Sequence, residues 1–575
     1  MENNTHLSPD SENKIIGYVV GGGLQENLNV RLTIPAQQVQ EGAFVVMDSE
    51  NLRFYGLVTD MLLGATDPRF ADEQSENRLP AQLAHLLHGQ TLFTNLSVMS
   101  TLMLDLGPDL ESPDYEAWRM AHPNAENPKP VKTIPRHHTE ARLASEGDIA
   151  EIFGVENGNE IFRIGETREQ GHPVCIDLDK LIQRSSGIFG ATGTGKSFLT
   201  RVILAGLIHA DKASALIFDM HNEYGPDDVA SDSGQSIPGL KNKFPSKVRL
   251  VGLGANASFR GANADYHLEI AESDIRSEDI LMLTGELNLR DTTATTLAGL
   301  ERDFSPSGWF HAFKTMRNGA VEDNEAGKKV PASDSVAFWA NQAGINALAA
   351  EGLHSKLGRL FEKTYLVQSP AHDTLSEIIR NLDAGKHIIL SFGDNNQDLD
   401  YLLVTNLITR RIRDAWEKKT NAFRSDKKKG EPRPLVVVVE EAHKLLNREM
   451  ASQTTFSTIA REMRKYYVTL LIIDQRPSQI YDEVMSQLGT RISGWLGDDD
   501  DISSVLSGLA GRQALRGMLA RLQPKEEVLM LGWGVPMPIP IRSRRYDQAF
   551  WQEVLKERGN SKDFDVDNFN KEMGF

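Results

Sequence analysis

The spacing of hydrophobic positions changes period several times along the chain, and those changes divide it. Between Ile15 and Val58 the apolar residues fall in short strand-like runs: Ile15–Val20, Val30–Ile34, Ala43–Met47 and Phe54–Val58. Turn-forming stretches such as Gly21-Gly22-Gly23 and Asp48-Ser49-Glu50-Asn51 separate them, and the triple glycine reads as a loop rather than a phosphate cradle. A further run from Leu96 to Leu106 can close a small barrel. From Gly107 to Pro135 frequent prolines (Pro108, Pro113, Pro123, Pro128, Pro130, Pro135) predict a linker or extended arm. His137 and His138, being adjacent, do not readily face one metal. Thr139 to Phe153 reads as a helix leading into the next domain.

Beyond it the runs become continuous and β-branched, as strands buried on both faces require. Leu435–Val439 has this form, and Gly187-Ile188-Phe189, Ala215–Asp219, His387–Phe392 and Leu470–Ile473 are further apolar strand-like runs. Helical periods lie between them, with Leu199, Val202, Ile203 and Leu207 on one face and an amphipathic stretch from about Asp400 to Ala422. Residues 226–247 form a polar loop carrying Lys241, Lys243 and Lys247. Residues 273–370 are helical in pattern and hold a polar stretch, Asn318 to Ser335, expected as a loop. The fold class is therefore α/β: a mainly parallel sheet, an N-terminal small β-barrel domain and a helical insertion. The expected division is a barrel over 1–106 and a linker with connecting helix over 107–153. A motor follows in two parts, 154–272 and 371–547, interrupted by the insertion at 273–370 and followed by a tail at 548–575.

Composition narrows the setting. At 575 residues, with 40% hydrophobic and 25% charged positions, the chain suits a soluble protein of several domains. Its polar start lacks the features of a signal peptide, and no apolar run approaches the roughly 20 residues that span a bilayer. Cys175 is the single cysteine, which leaves no intrachain disulfide and no cysteine-based zinc site. A cytoplasmic location follows as the expectation. The net charge of −18 counts against coating nucleic acid with the outer surface, though not against gripping it in a small basic channel.

Two stretches carry chemistry. Gly190-Ala191-Thr192-Gly193-Thr194-Gly195-Lys196-Ser197 fits the phosphate-binding pattern G-x-x-x-x-G-K-[ST], set between a strand and a helix. Such a loop aims backbone N–H groups and a helix N-terminus at phosphate oxygens. Lys196 is expected on the β- and γ-phosphates and Ser197 on Mg²⁺, with Phe198 completing the nucleotide contacts. The second stretch, Leu435–Val439 followed by Glu440-Glu441, places two acids at the C-terminal end of a buried strand. Glu440 is assigned to Mg²⁺ through water, and Glu441 to polarising the attacking water; the plain alternative is a strand entering an acidic helix N-terminus. Glu223, in the tail of the strand ending at Asp219, suits either a contact near the nucleotide or neighbouring subunit, or a turn. Asp498 to Asp501 read as the dipole-stabilising start of a helix rather than a metal site.

IAREMRKYYVTLLIIDQRPSQIYDEVMSQLGTRI (Ile459–Ile492) resembles HerA-type ATPases of the HerA–FtsK group, as do GATGTGKS, DMHNEYG, VVVVEEAH and PMPIPIRSRRYD (Pro536–Asp547). The resemblance extends from about Ile15 to Asp547, and the barrel-like start is similar to the small barrel that precedes the motor in HerA. It implies a RecA-like P-loop motor using ATP and Mg²⁺, assembled as a homo-hexamer with double-stranded DNA in its central channel. It further implies a translocase or helicase serving a separate effector, NurA-like nuclease or sirtuin-like, in DNA-end processing or anti-phage defence. Arg461 or Arg464, three apart on one helical face, is then similar to an arginine finger for the next subunit, the alternative being a surface salt-bridge pair. Gln475 looks like the sensor of the γ-phosphate, and Arg184 a weaker candidate facing a neighbour's site. Two departures stand out: Glu440 replaces the usual aspartate, and Asp474 replaces a small hydroxyl residue before the glutamine. Lys444 and Arg448, then Lys241 and Lys243, are the candidate DNA contacts. A rival reading is an ATP-dependent scaffold that gates the effector with little pumping. A secretion ATPase is a third, and it calls for a membrane segment that the sequence does not display.

Overall fold

The computed structural model describes residues 14–66 and 92–556, apart from 110, 124, 126, 158–159, 230–233, 235, 256, 258–262, 324–327, 396, 451–454 and 510. The chain forms two compact units, one built from residues 1–181, 188–203 and 489–575 and the other from 182–187 and 204–488. Most of the expected tail lies outside the described residues; its first part forms the helix Gln548–Lys556. Among the described residues no helix is long and apolar enough to cross a membrane.

In the first unit, the strands Ile15–Gly21, Leu28–Leu32, Phe44–Ser49, Leu52–Ala65, Leu92–Asp105 and Glu140–Leu143 close into an antiparallel barrel. Alternate residues point inward, and Ile16, Val19, Val30, Val45, Met47, Val58, Leu96, Val98 and Ala141 fill the interior. The strand Leu28–Leu32 presses so closely on Gly17 that a Cβ there would lie 2.2 Å from the Arg31 carbonyl oxygen. One expectation fails here. Glu140–Leu143 is not the start of a helix but a barrel strand, paired with both Ile15–Gly21 and Phe44–Ser49. Its period-two signal is only four residues long, with Ala141 buried between Glu140 and Arg142, and the helical period after it masks it. The helix begins at Glu146, where Ser145 and Asp148 cap it reciprocally.

The same unit holds an antiparallel run of strands in the order Thr490–Ser493, Glu527–Gly532, Ile539–Ser543, Ile161–Thr167, Pro173–Asp177. The barrel meets it through an Arg521–Glu41 ion pair at 2.6 Å and a Thr101 hydroxyl 3.3 Å from the Met537 sulfur. Cys175 is buried in this sheet, and burial pushes its thiol up to about 11.

The second unit is a parallel sheet in the order Tyr266–Leu268, Val248–Leu253, His387–Ser391, Ser214–Asp219, Leu435–Glu440, Val468–Asp474. Every residue of its four inner and last strands, from His387–Ser391 to Val468–Asp474, is buried. Ser214–Asp219 comes first in sequence yet lies between two later strands. Crossovers therefore diverge to either side of it, and ligand sites form beyond the carboxyl ends of strands at such a point. The region expected as an insertion supplies the helices Ser277–Leu281, Thr293–Thr315, Val336–Ala343 and Ala347–Phe361. They pack around Leu300, Trp309, Phe310, Phe313, Leu357 and Leu360, and the second kinks at Ser305, before Pro306. Two buried carboxylates fasten them to the long helix Asp398–Ser425. Asp279 accepts from Arg410 at 2.8 Å and Asn406 at 3.0 Å, and Asp400 accepts from Lys363 at 2.9 Å and Tyr365 at 2.6 Å. Asn318–Ser335 is not wholly loop: Val321–Asp323 and Lys329–Pro331 pair as a short hairpin.

His387, at the start of its strand, is fully buried and neither ring nitrogen has a hydrogen-bond partner. Burial pushes it down to about 3, so the folded state holds it neutral. The unfolded chain binds that proton near pH 6.5, so stability is lost as pH falls below that value. At pH 5 the loss is roughly 2 kcal/mol. His387→Leu should therefore gain on the wild type in apparent Tm as pH drops from 8 to 5; a gap independent of pH contradicts this.

Candidate functional site

The phosphate loop follows the buried strand Ser186–Phe189 and opens into the helix Lys196–Ala210. Its shape depends on glycine where side chains do not fit. A Cβ at Gly190 would fall 2.6 Å from the Thr194 hydroxyl, and Gly195 holds a φ of 89°. Thr194 closes the loop by donating its hydroxyl to the Ala191 carbonyl at 2.8 Å. The Lys196 ammonium reaches back over it, donating to the carbonyls of Gly190 at 2.6 Å and Ala191 at 2.9 Å. From outside, the Ala191 N–H donates to the Trp495 carbonyl and the Gly494 N–H to that of Phe189, both at 2.9 Å. Thr192 and Gly193 are exposed at the tip, and Ser197 is half-buried in the first helical turn. Phe198 leaves 42% of its surface exposed, with the buried Arg201 guanidinium 5.6 Å from its ring centroid. The loop thus presents backbone donors and one ammonium at a helix N-terminus, which is anion-binding chemistry.

The acids occupy the second unit. Ser214–Asp219 and Leu435–Glu440 run parallel in register, Phe218 opposite Val439, so their acidic ends lie side by side. Asp219 is fully buried and accepts the backbone N–H groups of Glu223 at 2.8 Å and Tyr224 at 3.0 Å. This turn in DMHNEYG brings Tyr224 under the next strand, where its hydroxyl donates to Glu440 Oε1 at 2.7 Å. The Tyr401 hydroxyl donates to the Glu440 backbone carbonyl, also at 2.7 Å. Glu440 Oε2 is buried with no hydrogen-bond partner. Burial, then the charges of Asp219 and Glu223, push Glu440 well above the usual carboxylate range; burial raises Asp219 to about 6. A cluster this desolvated disfavours its own negative charge and suits a cation close by. Among the described residues no three histidine, cysteine or acidic side chains converge on one metal position. That fits a cation that arrives with phosphates and takes few protein ligands.

Glu441 differs from its neighbour. It is half-buried and left-handed, with a φ of 47°. Its Oε2 lies 3.4 Å from the Gln475 amide nitrogen and 3.5 Å from His443 Nδ1. Gln475 and Glu441, expected as sensor and base, are thus in contact with one another. Arg461 and Arg464 do not share one α-helical face. The helix Thr455–Glu462 ends between them, and Arg464 lies on the 3₁₀ turn Met463–Tyr466, tightened ahead of a left-handed Tyr467. Arg461 pairs with Glu483 at 3.4 Å with both side chains about half exposed, whereas Arg464 is exposed with no ion pair among the described residues. Arg184 is half-buried, in the segment before the loop strand. Asp498 caps its helix, accepting the N–H groups of Asp500 and Asp501.

Of the candidate DNA contacts, Lys241 is bound to Asp265 at 2.7 Å, and burial lowers Lys243. Lys444 pairs with Asp398 at 2.7 Å, and Arg448 is exposed with no partner among the described residues. These two line a cleft of about 530 Å³ with His443, Glu286, Asp398 and Leu402. Tyr224, Tyr401, His443 and Asp474 are absent from the residues expected in the site. Only the position of Asp474, one before Gln475, gave a signal.

Residues 162–412, which include the phosphate loop and Asp219, match the family described as Helicase HerA, central domain. The DNA double-strand break repair helicase HerA of Saccharolobus solfataricus is 24% identical over 480 residues, 83% of this chain and 82% of that one. The protein of the same description from Sulfurisphaera tokodaii is 23% identical over 537 residues, 93% of each chain. Among solved structures, the bacterial conjugative coupling protein TrwBdeltaN70 is similar at a TM-score of 0.44 and 13% identity, over 73% of this chain and 96% of that one. The family match thus covers the phosphate loop, and the chain is similar to the HerA helicases along most of their length.

Proposed function

We propose that this ATPase is a homo-hexameric ring that drives double-stranded DNA through its central channel for a separate effector, a NurA-like nuclease or a sirtuin-like enzyme. DNA-end processing and anti-phage defence are the two settings this chemistry serves. The modules of the reading are the barrel (1–106), linker (107–153), motor (154–272 and 371–547), insertion (273–370) and tail (548–575). The observation that carries it is that one chain holds a complete phosphate loop and a half-buried acid, Glu441, beside a sensor amide at the end of a buried parallel strand. The relatives described as DNA double-strand break repair helicases support the DNA half.

In this reading, Lys196 and the loop N–H groups from Gly193 to Ser197 hold the β- and γ-phosphates. The Ser197 hydroxyl and, through water, Glu440 would hold Mg²⁺, which would neutralise phosphate charge when bound. Glu441 takes a proton from water as the water oxygen bonds to the γ-phosphorus. The bond from that phosphorus to the bridging oxygen breaks, leaving ADP and phosphate. Gln475 orients the same carboxylate and reports the γ-phosphate. Arg464 is favoured as the finger for a neighbouring subunit because it is exposed and unpaired among the described residues. The Arg461–Glu483 pair is exposed enough to be weak and exchangeable. Arg448, with Lys444, leads the DNA contacts. The scaffold reading keeps one observation in its favour, the net charge of −18.

Lys196→Ala should weaken ATP binding, whereas Glu441→Gln should bind ATP as the wild type does and lose about 10²-fold or more in kcat. Nucleotide binding and phosphate release measure the two, and wild-type turnover in Glu441→Gln removes Glu441 as the base. Mixing Arg464→Ala with Glu441→Gln protein should regain activity above either alone, because some composite sites then hold both intact groups. Normal turnover in both Arg461→Ala and Arg464→Ala would return the pair to a surface role. DNA stimulation of the ATPase should weaken steeply with salt, and neutralising Lys444 and Arg448 together should reduce both the stimulation and its salt slope. Stimulation unchanged in that double variant moves the DNA path elsewhere, and none in the wild type favours the scaffold.

A further inference from the structure

Asp474 has no part in the chemistry above, yet it is among the most firmly held side chains of the second unit. It ends the strand Val468–Asp474 with no side-chain exposure. Its carboxylate accepts the backbone N–H of His443 at 2.7 Å, the His443 ring Nδ1–H at 2.9 Å and the backbone N–H of Arg476 at 2.7 Å. The His443 ring is therefore fixed at its backbone and at its edge by one buried acid. Asp474 is the main reason that the imidazole holds its proton above the usual histidine range. The groups facing the ring are Asp474, Glu441 at 3.5 Å and the adjacent Lys444, itself paired with Asp398.

Glu441 needs such a neighbour. A left-handed φ strains a non-glycine residue, and it persists where the surroundings impose it. The two nitrogens near Glu441 Oε2, from His443 and Gln475, are placed by the two sides of one structure: Asp474 anchors the ring, and Gln475 follows Asp474 in the chain. With Oε2 accepting from Gln475 and facing the charge of the protonated ring at 3.5 Å, Oε1 is the oxygen left for water. A small hydroxyl in place of Asp474 could not supply a charge to the ring.

We propose that Asp474 and His443 form a positioning unit for Glu441, with Asp474 fixing the ring and the ring fixing which carboxylate oxygen faces the attacking water. The inference rests on Glu441 being the base. Neither residue touches ATP in this scheme, so both act on the rate of the bound complex rather than on binding.

The test is steady-state ATPase of the full chain with Mg²⁺ and duplex DNA between pH 6 and 9, for wild type, His443→Gln, Asp474→Asn and the double variant. Each single variant should lose about tenfold in kcat with KM for ATP within about twofold, and the double should be no worse than the poorer single, as residues acting as one unit are non-additive. The wild-type rate should fall on the alkaline side as the ring loses its proton, that fall should move to lower pH in Asp474→Asn, and it should be absent in His443→Gln. Unchanged kcat in His443→Gln, or losses that multiply in the double variant with a raised KM, overturns the proposal. Should Asp474→Asn not fold, His443→Gln, at a half-buried position, decides alone. If Glu441→Gln hydrolyses ATP like the wild type, the base reading fails first; if it is inactive while both positioning variants are fully active, only this inference fails.

Discussion

The second unit is arranged around one electrostatic problem: two carboxylates, Asp219 and Glu440, sit side by side at the ends of strands buried on both faces. An acid without compensation there is expensive in any protein interior. The chain compensates each differently. Asp219 is satisfied by backbone N–H groups, which requires the chain to turn at once after the strand. That turn puts Asn222 at a φ of 58°, its side chain bonded to the Ser391 hydroxyl, and it carries Tyr224 beneath Glu440. Glu440 receives one phenolic hydrogen bond and keeps its other oxygen unpaired, a deficit that a cation can correct.

The long helix Asp398–Ser425 links this centre to the helices of 273–370. Within its first turn Asp398 holds Lys444, Asp400 accepts from Lys363 and Tyr365, and Tyr401 donates to the Glu440 carbonyl. Neighbouring residues of one turn thus serve the strand Leu435–Glu440 and the residues just after it on one side and the added helices on the other. Those helices are fastened by buried, hydrogen-bonded charge at Asp279 and Asp400 rather than by apolar contact alone. Removing either partner would strand a charge in the interior.

Much of this was legible in the sequence because burial on both faces leaves unbroken apolar runs, and glycine spacing marks the phosphate loop. The parallel strands, the helical character of 273–370 and the barrel fold follow from such periods. What hid was shorter than a period or depended on partners far away in sequence. Glu140–Leu143 alternates over too few residues to outweigh the helix after it. Arg461 and Arg464 have helical spacing, but the helix tightens between them. Tyr224, 216 residues from Glu440, has no local signature as a hydrogen-bond donor to an acid. Lys241 reads as a free loop cation until Asp265 meets it. Asp474 was visible only as an unusual residue, and its meaning required His443.

The central claim is that ATP hydrolysis by this chain moves duplex DNA. Displacement of a third strand from a DNA triplex measures that movement without requiring strand separation. The wild type should release the third strand in an ATP-dependent manner and at a rate that tracks hydrolysis, while Glu441→Gln should bind ATP and release none. Hydrolysis at the same rate with no third strand released, across salt concentrations that permit DNA binding, would contradict the account.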